Sequence, residues 1–173
     1  MAPRLSVFIA SSLDNYIATP DGKLDWLMAA TVEGEDYGYN AFMDSVDALA
    51  MGRATYDFIA GLDPLPFGGR PVFVFTHRLP AERAGVTFWD ASPVEAYEHW
   101  SRLGLGRIYV DGGFLISSFL DEGLITDMTL TKVPILLGSG RPLFHPIGRH
   151  NDFNLHDVQQ FPSGLVNLSY VRK

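Results

Sequence analysis

The sequence predicts a single α/β domain over residues 1–173: a mixed, mostly parallel sheet with helices on both faces and a C-terminal antiparallel hairpin. Three observations predict it. Short β-rich runs alternate with helix-patterned stretches, as parallel strands with covering helices require. The end of the chain, FNLHDVQQFPSGLVNLSYVRK, sets a Pro-Ser-Gly turn between two strand-like runs. Hydrophobic residues make up 47% and charged residues 19%, with no repeat or low-complexity tract, so the chain can bury a core of its own.

The first strand is Leu5–Ala10. Arg4 followed by an apolar run has the outline of a signal peptide, but the run is only strand-long and meets Asp14 and Asn15 at once. Tyr39, Phe42, Met43 and Val46 form an apolar stripe at helical spacing and predict a helix over Tyr39–Val46. A strand at Ala48–Met51 and a helix at Arg53–Ile59 follow. Pro71–Phe75 reads as a strong strand and Thr87–Trp89 as a weak one. Pro93 suits the first position of a helix running to Leu103, with Ser92 as its N-cap. Arg107–Val110 is a strand, Phe114–Leu120 an apolar helix, and Asp127–Val133 and Leu165–Val171 are further strands.

Composition excludes several chemistries. The net charge of −7 argues against nucleic acid as a partner, since a phosphate backbone needs a basic face. The chain has no cysteine, which removes disulfides, thiolate metal sites and a cysteine nucleophile. Its five histidines include no pair at HxxxH spacing, so no metal is expected. No stretch approaches the roughly 20 apolar residues of a membrane span, and the expected location is the cytoplasm.

In open sheets of this class the ligand crevice lies at the carboxyl ends of the strands. Three stretches fall there. In VDGGFLISS, Gly112 and Gly113 join a strand to a helix whose free N–H groups suit a diphosphate; a tight turn with no ligand is the plainer reading. ALAMGRATYDFI repeats the pattern, with Gly52 at the junction and Arg53, Ala54 and Thr55 opening the helix. RPVFVFTHR ends its strand with Thr76, His77 and Arg78. Two guanidinium groups, Arg53 and Arg78, at neighbouring strand ends match a ribose 2′-phosphate; two solvated surface arginines remain the alternative. ATPDGK, residues Ala18–Lys23, has the composition of a lid loop or of a simple surface turn.

Taken in order, SLDNYIATPDGKLDW, MGRATYD and VDGGFLISSFLDEGLITDMTLTKVPILLGSGRPLF resemble the dihydrofolate reductase fold family. The resemblance spans about residues 5 to 145 and runs nearest to the reductase domain of the bifunctional riboflavin-biosynthesis deaminase/reductase. It implies a three-layer fold and NADPH as hydride donor. By the same carry-over Gly52, Arg53, Ala54 and Thr55 hold phosphates, and Thr76, His77 and Arg78 surround the 2′-phosphate. Gly112, Gly113, Phe114 and Leu115 cradle the diphosphate, while Ala10 and Ile17 flank the nicotinamide under the Ala18–Lys23 loop. The chain departs from the family in two ways. It has no H-x-E motif and no cysteine, so the zinc deaminase half is absent. Trp26 in KLDWL lacks the preceding proline of the folate enzymes, which argues against folate as substrate.

Reduction of a C=N or C=O group needs a proton source, or a carboxylate to bind an aminopyrimidine-like edge. Counting back from Met51 as in the folate enzymes reaches Asp36; helical periodicity favours Glu35, four residues before Tyr39. A solvated charge at a helix start is the alternative for both. On the substrate side the resemblance brings in Thr131. Trp26, Tyr37, Phe42 and Ile116 could wall a flat heterocycle or belong to the core. The expected function is an NADPH-dependent reductase of a pterin-like or pyrimidine-like small molecule. A stand-alone ribosylamino-pyrimidine reductase of riboflavin biosynthesis and a non-catalytic NADPH-binding protein are the alternatives. Apolar segments such as VPILLG suit a homodimer.

Overall fold

The computed structural model describes residues 2–78, 80 and 82–173. In chain order the first elements are β1 (Arg4–Ser11), β2 (Tyr16–Ala18), α1 (Asp25–Ala30), α2 (Tyr39–Asp44), β3 (Ala48–Gly52), α3 (Arg53–Ile59) and β4 (Val72–Phe75). There follow β5 (Val86–Trp89), α4 (Pro93–Arg102), β6 (Arg107–Asp111), α5 (Gly113–Asp121) and β7 (Ile125–Lys132). Last come β8 (Arg141–Pro142), β9 (Phe153–Gln160) and β10 (Val166–Arg172).

Eight strands form the main sheet in the order β5-β4-β3-β6-β1-β7-β10-β9, and β2 pairs with β8 in a two-stranded ribbon. All neighbours from β5 across to β7 are parallel, whereas β10 is antiparallel to both β7 and β9. The expected mixed sheet with a terminal hairpin is therefore what the chain forms.

The central strands have no polar face because both faces are covered. In β3, Ala48 and Ala50 enter one core while Leu49 and Met51 enter the other. β4 divides the same way, Phe73 to the first and Val72 and Val74 to the second. The first core is closed by α4 and α5 through Ala96, Trp100, Ile116 and Phe119. Trp100 is fully buried and stacks on Phe119 with centroids 5.8 Å apart, so Trp100→Ala would cost about 3–5 kcal/mol. The second core lies under α2 and α3, through Phe42, Met43 and Tyr56. Three layers result.

Local rules explain the helix ends. Ser92 caps α4: its Oγ accepts from the Glu95 N–H at 3.3 Å, and Glu95 Oε2 accepts from the Ser92 N–H at 2.8 Å. The α2 helix does not extend back to Glu35, because Gly34, Tyr37 and Gly38 take positive φ of 86°, 54° and 84°. Three elements were not expected from the sequence. β2 and β8 are too short to show a period, and α1 buries no residue, so it carries no apolar stripe.

Candidate active site

The carboxyl ends of β1, β3, β4 and β6 open onto one cavity of about 1360 Å³. Its wall includes every residue that the resemblance assigns to the cofactor: Ala10 and Ile17, Gly52–Thr55, Thr76–Arg78 and Gly112–Leu115. Asp36, Tyr37 and Thr131 line it as well.

The adjacent glycines have a structural reason beyond any ligand. Gly112 has φ of +95°, and a Cβ there would lie 2.7 Å from Thr55 Oγ1. At Gly113 a Cβ would lie 2.3 Å from the Pro142 carbonyl oxygen. Gly112 thus lets β6 turn against the start of α3, and Gly113 lets α5 begin against β8. The same closeness gathers the amides of Gly52 and Gly113–Leu115 at one rim, with the first turn of α5 presenting N–H groups and a partial positive charge. Turn and cradle are one construction. This set of donors fits a dinucleotide's diphosphate.

Arg53 and Arg78 stand at the adjacent ends of β3 and β4. Arg53 Nε donates to Asp57 Oδ1 at 2.7 Å, and its Nη1 reaches the Arg78 carbonyl oxygen at 3.5 Å. The Arg78 guanidinium has no partner among the described residues. Thr76 Oγ1 accepts from the Arg78 N–H at 3.1 Å and donates to the Arg78 carbonyl at 3.0 Å, so its hydroxyl shapes the turn rather than pointing free. His77, almost wholly exposed, pairs with Asp90 at 2.8 Å. The two arginines bring two guanidinium groups to one edge of the wall, a chemistry that suits a phosphate, with Trp89 on the wall nearby.

The carboxylates depart from expectation. Asp36 lies on the wall, but its two oxygens accept the N–H groups of Gly38 at 3.1 Å and Asn40 at 3.0 Å. Those bonds, Asn40's foremost, hold its carboxyl below the usual aspartate range. It is a capping anion and a poor proton donor. Glu35 is off the wall altogether, and its Oε1 accepts the Tyr37 N–H at 3.0 Å. The group that sequence reasoning missed is Asp111, the residue before the two glycines. It is set into the wall, where burial pushes its carboxyl up to about 6 although the Gly112 N–H donates to it at 2.9 Å. Tyr39 and Tyr109 also face the cavity, and burial first, then the charge of Asp111, raises both phenols. The signal was an acid at a strand's carboxyl end, beside a glycine turn.

On the substrate side Thr131 Oγ1 donates to Asn167 Oδ1 at 2.6 Å, and Asn167 Nδ2 donates to the Tyr37 carbonyl at 2.8 Å. Trp26 does not line the cavity; it packs into the small cluster of Tyr37, Val133, Phe161 and Leu165. Ile116 and Phe42 are core residues, because one faces the α4/α5 layer and the other the α2/α3 layer. Exposed Met28 on α1 and Phe58 on α3 form an apolar lip instead.

The Ala18–Lys23 stretch is a bonded turn. The Gly22 N–H donates to the Thr19 carbonyl at 2.8 Å, the Lys23 N–H to Thr19 Oγ1 at 2.9 Å, and Lys23 pairs with Asp21 at 2.8 Å. Its base is tied across the fold: Asp14 accepts the N–H groups of Leu137 and Gly138 at 3.2 and 2.7 Å, and β2 pairs with β8.

Comparison with known proteins agrees with this architecture. The protein YwjB of Bacillus subtilis (strain 168), itself uncharacterized, is 34% identical over 175 residues covering 99% of each chain. A Shewanella sp. PV-4 structure, provisionally assigned to riboflavin biosynthesis, superposes with a TM-score of 0.91 at 37% identity, over 98% of this chain and 99% of that one. The Thermotoga maritima deaminase/reductase shares the fold at 16% identity and a TM-score of 0.73; this chain, 99% covered, spans 57% of it. The family model described as the RibD C-terminal domain matches residues 3–167. With that model spanning nearly the whole chain, on a reductase-type fold, the chain belongs to the RibD C-terminal domain family.

Proposed function

We propose that the chain is an NADPH-dependent reductase that delivers hydride to a pyrimidine-like or pterin-like heterocycle. The observation that carries this reading is the convergence on one cavity of two strand-end arginines, the glycine rim of α5 and a carboxyl with a raised pKa. The bound nicotinamide would supply the hydride. Arg53 and Arg78 grip the 2′-phosphate, and the amides from Gly113 to Leu115 take the diphosphate. The carbon of a C=N or C=O group receives the hydride, and its heteroatom takes a proton. Asp111 holds that proton: near pH 6 its carboxyl is half protonated, suited to a general acid at a wall shared with substrate. Asp36, kept ionised by its amides, serves as an anionic edge for an amino group and as the cap of α2. The Ala18–Lys23 turn covers the site and excludes water.

Family membership and the Shewanella likeness favour a substrate of the riboflavin pathway type. The Thermotoga protein is named for 5-amino-6-(5-phosphoribosylamino)uracil, and a pyrimidine of that class is the first substrate to assay. The test begins with binding. Titration followed by quenching of Trp89 should give a clear preference for NADPH over NADH, which Arg53→Ala removes by weakening NADPH alone. Equal affinity for the two cofactors in the parent protein overturns the 2′-phosphate site. Binding without oxidation of NADPH by any pyrimidine or pterin would favour the non-catalytic reading.

A further inference from the structure

One cation on the cavity wall has no role in the site described so far. Arg141, on β8, is exposed, and although its backbone pairs with β2 its guanidinium makes no hydrogen bond or ion pair with any described residue. Arg53, by contrast, already holds one carboxylate partner, in its i,i+4 ion pair with Asp57. Asp21, the carboxylate of the neighbouring turn, is engaged by Lys23 and Thr19. The Arg141 charge is therefore uncompensated, at a place where two other features meet.

Its guanidinium lies against Gly22. A Cβ at Gly22 would come within 2.8, 2.9 and 3.2 Å of Nη2, Cζ and Nη1, so the turn presents a bare α-carbon to the fork, at φ of +83°. One residue further, the Pro142 carbonyl abuts Gly113 at the start of α5. Arg141 thus bridges the covering turn and the amide-bearing rim, and it lines the same cavity as Asp21, Gly22 and Gly112–Phe114. It stands on the opposite side of that rim from Arg53 and Arg78, since the sheet order runs β4-β3-β6-β1 and β8 pairs with the segment leaving β1.

We infer that Arg141 is an anion clamp, which takes a phosphate-type oxygen of the bound ligand and in doing so fixes the Gly22 turn over it. This rests on the cavity being the nucleotide and substrate site proposed above. A planar guanidinium fork presents two parallel N–H groups to such an oxygen pair, and loss of one charge-assisted contact is large enough to measure. The phosphate chemistry has two sources, the diphosphate of the cofactor or a phosphate ester on the substrate.

The test uses the full chain with Arg141→Met, which keeps the stem and removes the charge, and Arg141→Lys, which keeps the charge without the fork. A far-UV circular dichroism spectrum matching the parent's confirms that each variant folds. NADPH and NADH are titrated, and ribose 5-phosphate is titrated onto the NADPH-saturated protein. For a clamp on the cofactor diphosphate, Arg141→Met weakens NADPH and NADH alike by roughly tenfold or more, leaving their ratio unchanged, and Arg141→Lys recovers part of the loss. For a clamp on a substrate phosphate, cofactor affinity holds and ribose 5-phosphate binding falls by a similar factor. In either case the ligand should protect the bond after Lys23 from trypsin in the parent and not in Arg141→Met. Unchanged binding of all three ligands overturns the clamp. If the parent binds neither cofactor, the reductase reading fails by itself. Inorganic pyrophosphate then decides about Arg141: binding lost in Arg141→Met supports the clamp, and equal binding in both proteins removes it.

Discussion

Two aspartates on one wall behave in opposite ways. Asp36, in the loop before α2, is exposed and bonded to two backbone amides, which hold its carboxyl low. Asp111, at the end of β6, is set among Tyr39 and Tyr109 where burial holds it high, at about 6. Their distance along the chain from the glycine motifs does not separate their roles. What donates to each oxygen, and how much water reaches it, does. A carboxylate saturated by amides is a structural anion; one deprived of water is a proton store.

The largest test of this contrast is turnover. Asp111→Asn should lower kcat by about 10²–10⁴-fold, the usual contribution of a positioned acid, while Asp36→Asn should change it by less than roughly tenfold. Steady-state assays with NADPH and a reducible pyrimidine measure both. The reverse ranking would return the acid to Asp36.

The pH profile comes next. If Asp111 must be protonated, kcat/KM of the parent should be flat below pH about 6 and fall about tenfold per unit above it. Asp111→Asn should flatten the limb, and Asp36→Asn should leave it in place.

Stability should move the opposite way from activity. The folded state holds the Asp111 proton more tightly than the unfolded chain, so folding is penalised increasingly as pH rises from the ordinary aspartate range to about 6. Above that the penalty is constant, and below the ordinary range it is absent. Asp111→Asn should therefore stabilise the protein at pH 7 by on the order of 1–3 kcal/mol, with no gain at pH about 3, as urea melts at the two pH values would read. Asp36 carries the opposite sign. Its stabilisation is present above the ordinary aspartate pKa and is lost as pH falls through its lowered value. Asp36→Ala should lower Tm slightly at pH 7, by loss of the α2 cap, and converge with the parent in acid. That is the smallest effect of the four.

Much of this molecule could be read from residues in order. The alternation of apolar runs with Gly52 and Gly112–Gly113 at strand ends located the sheet and the rim where the cavity opens. Adjacent residues on α5 mark where such reading stops. Phe114 and Leu115 line the cavity, but a step of about 100° per residue turns Ile116 into the core beside Trp100. Of the two readings open for Trp26, substrate wall or core, the structure has the second: it packs on Tyr37 and Phe161, and Phe161 comes from the far end of the chain. Asp111 went unread for the same reason. Burial raises its pKa, and part of what surrounds it, Tyr39 on α2, comes from another segment of the chain. Patterns along a segment report its own period, whereas a pKa depends on neighbours that other segments bring.

The β2–β8 ribbon has a consequence for how the molecule is made. Tyr16 and Ala18 find their partners at Pro142 and Arg141, and Asp14 its amides at Leu137 and Gly138, all synthesised more than a hundred residues later. A nascent chain that has emerged only as far as β7 already contains every strand of the rim, yet nothing yet anchors its cover. Assembly of the binding surface and its enclosure are thus separate events in time. Substitutions that loosen the exposed stretch around Leu136 to Gly138, which holds Asp14, should therefore leave the sheet and its rim folded while freeing the Ala18–Lys23 turn.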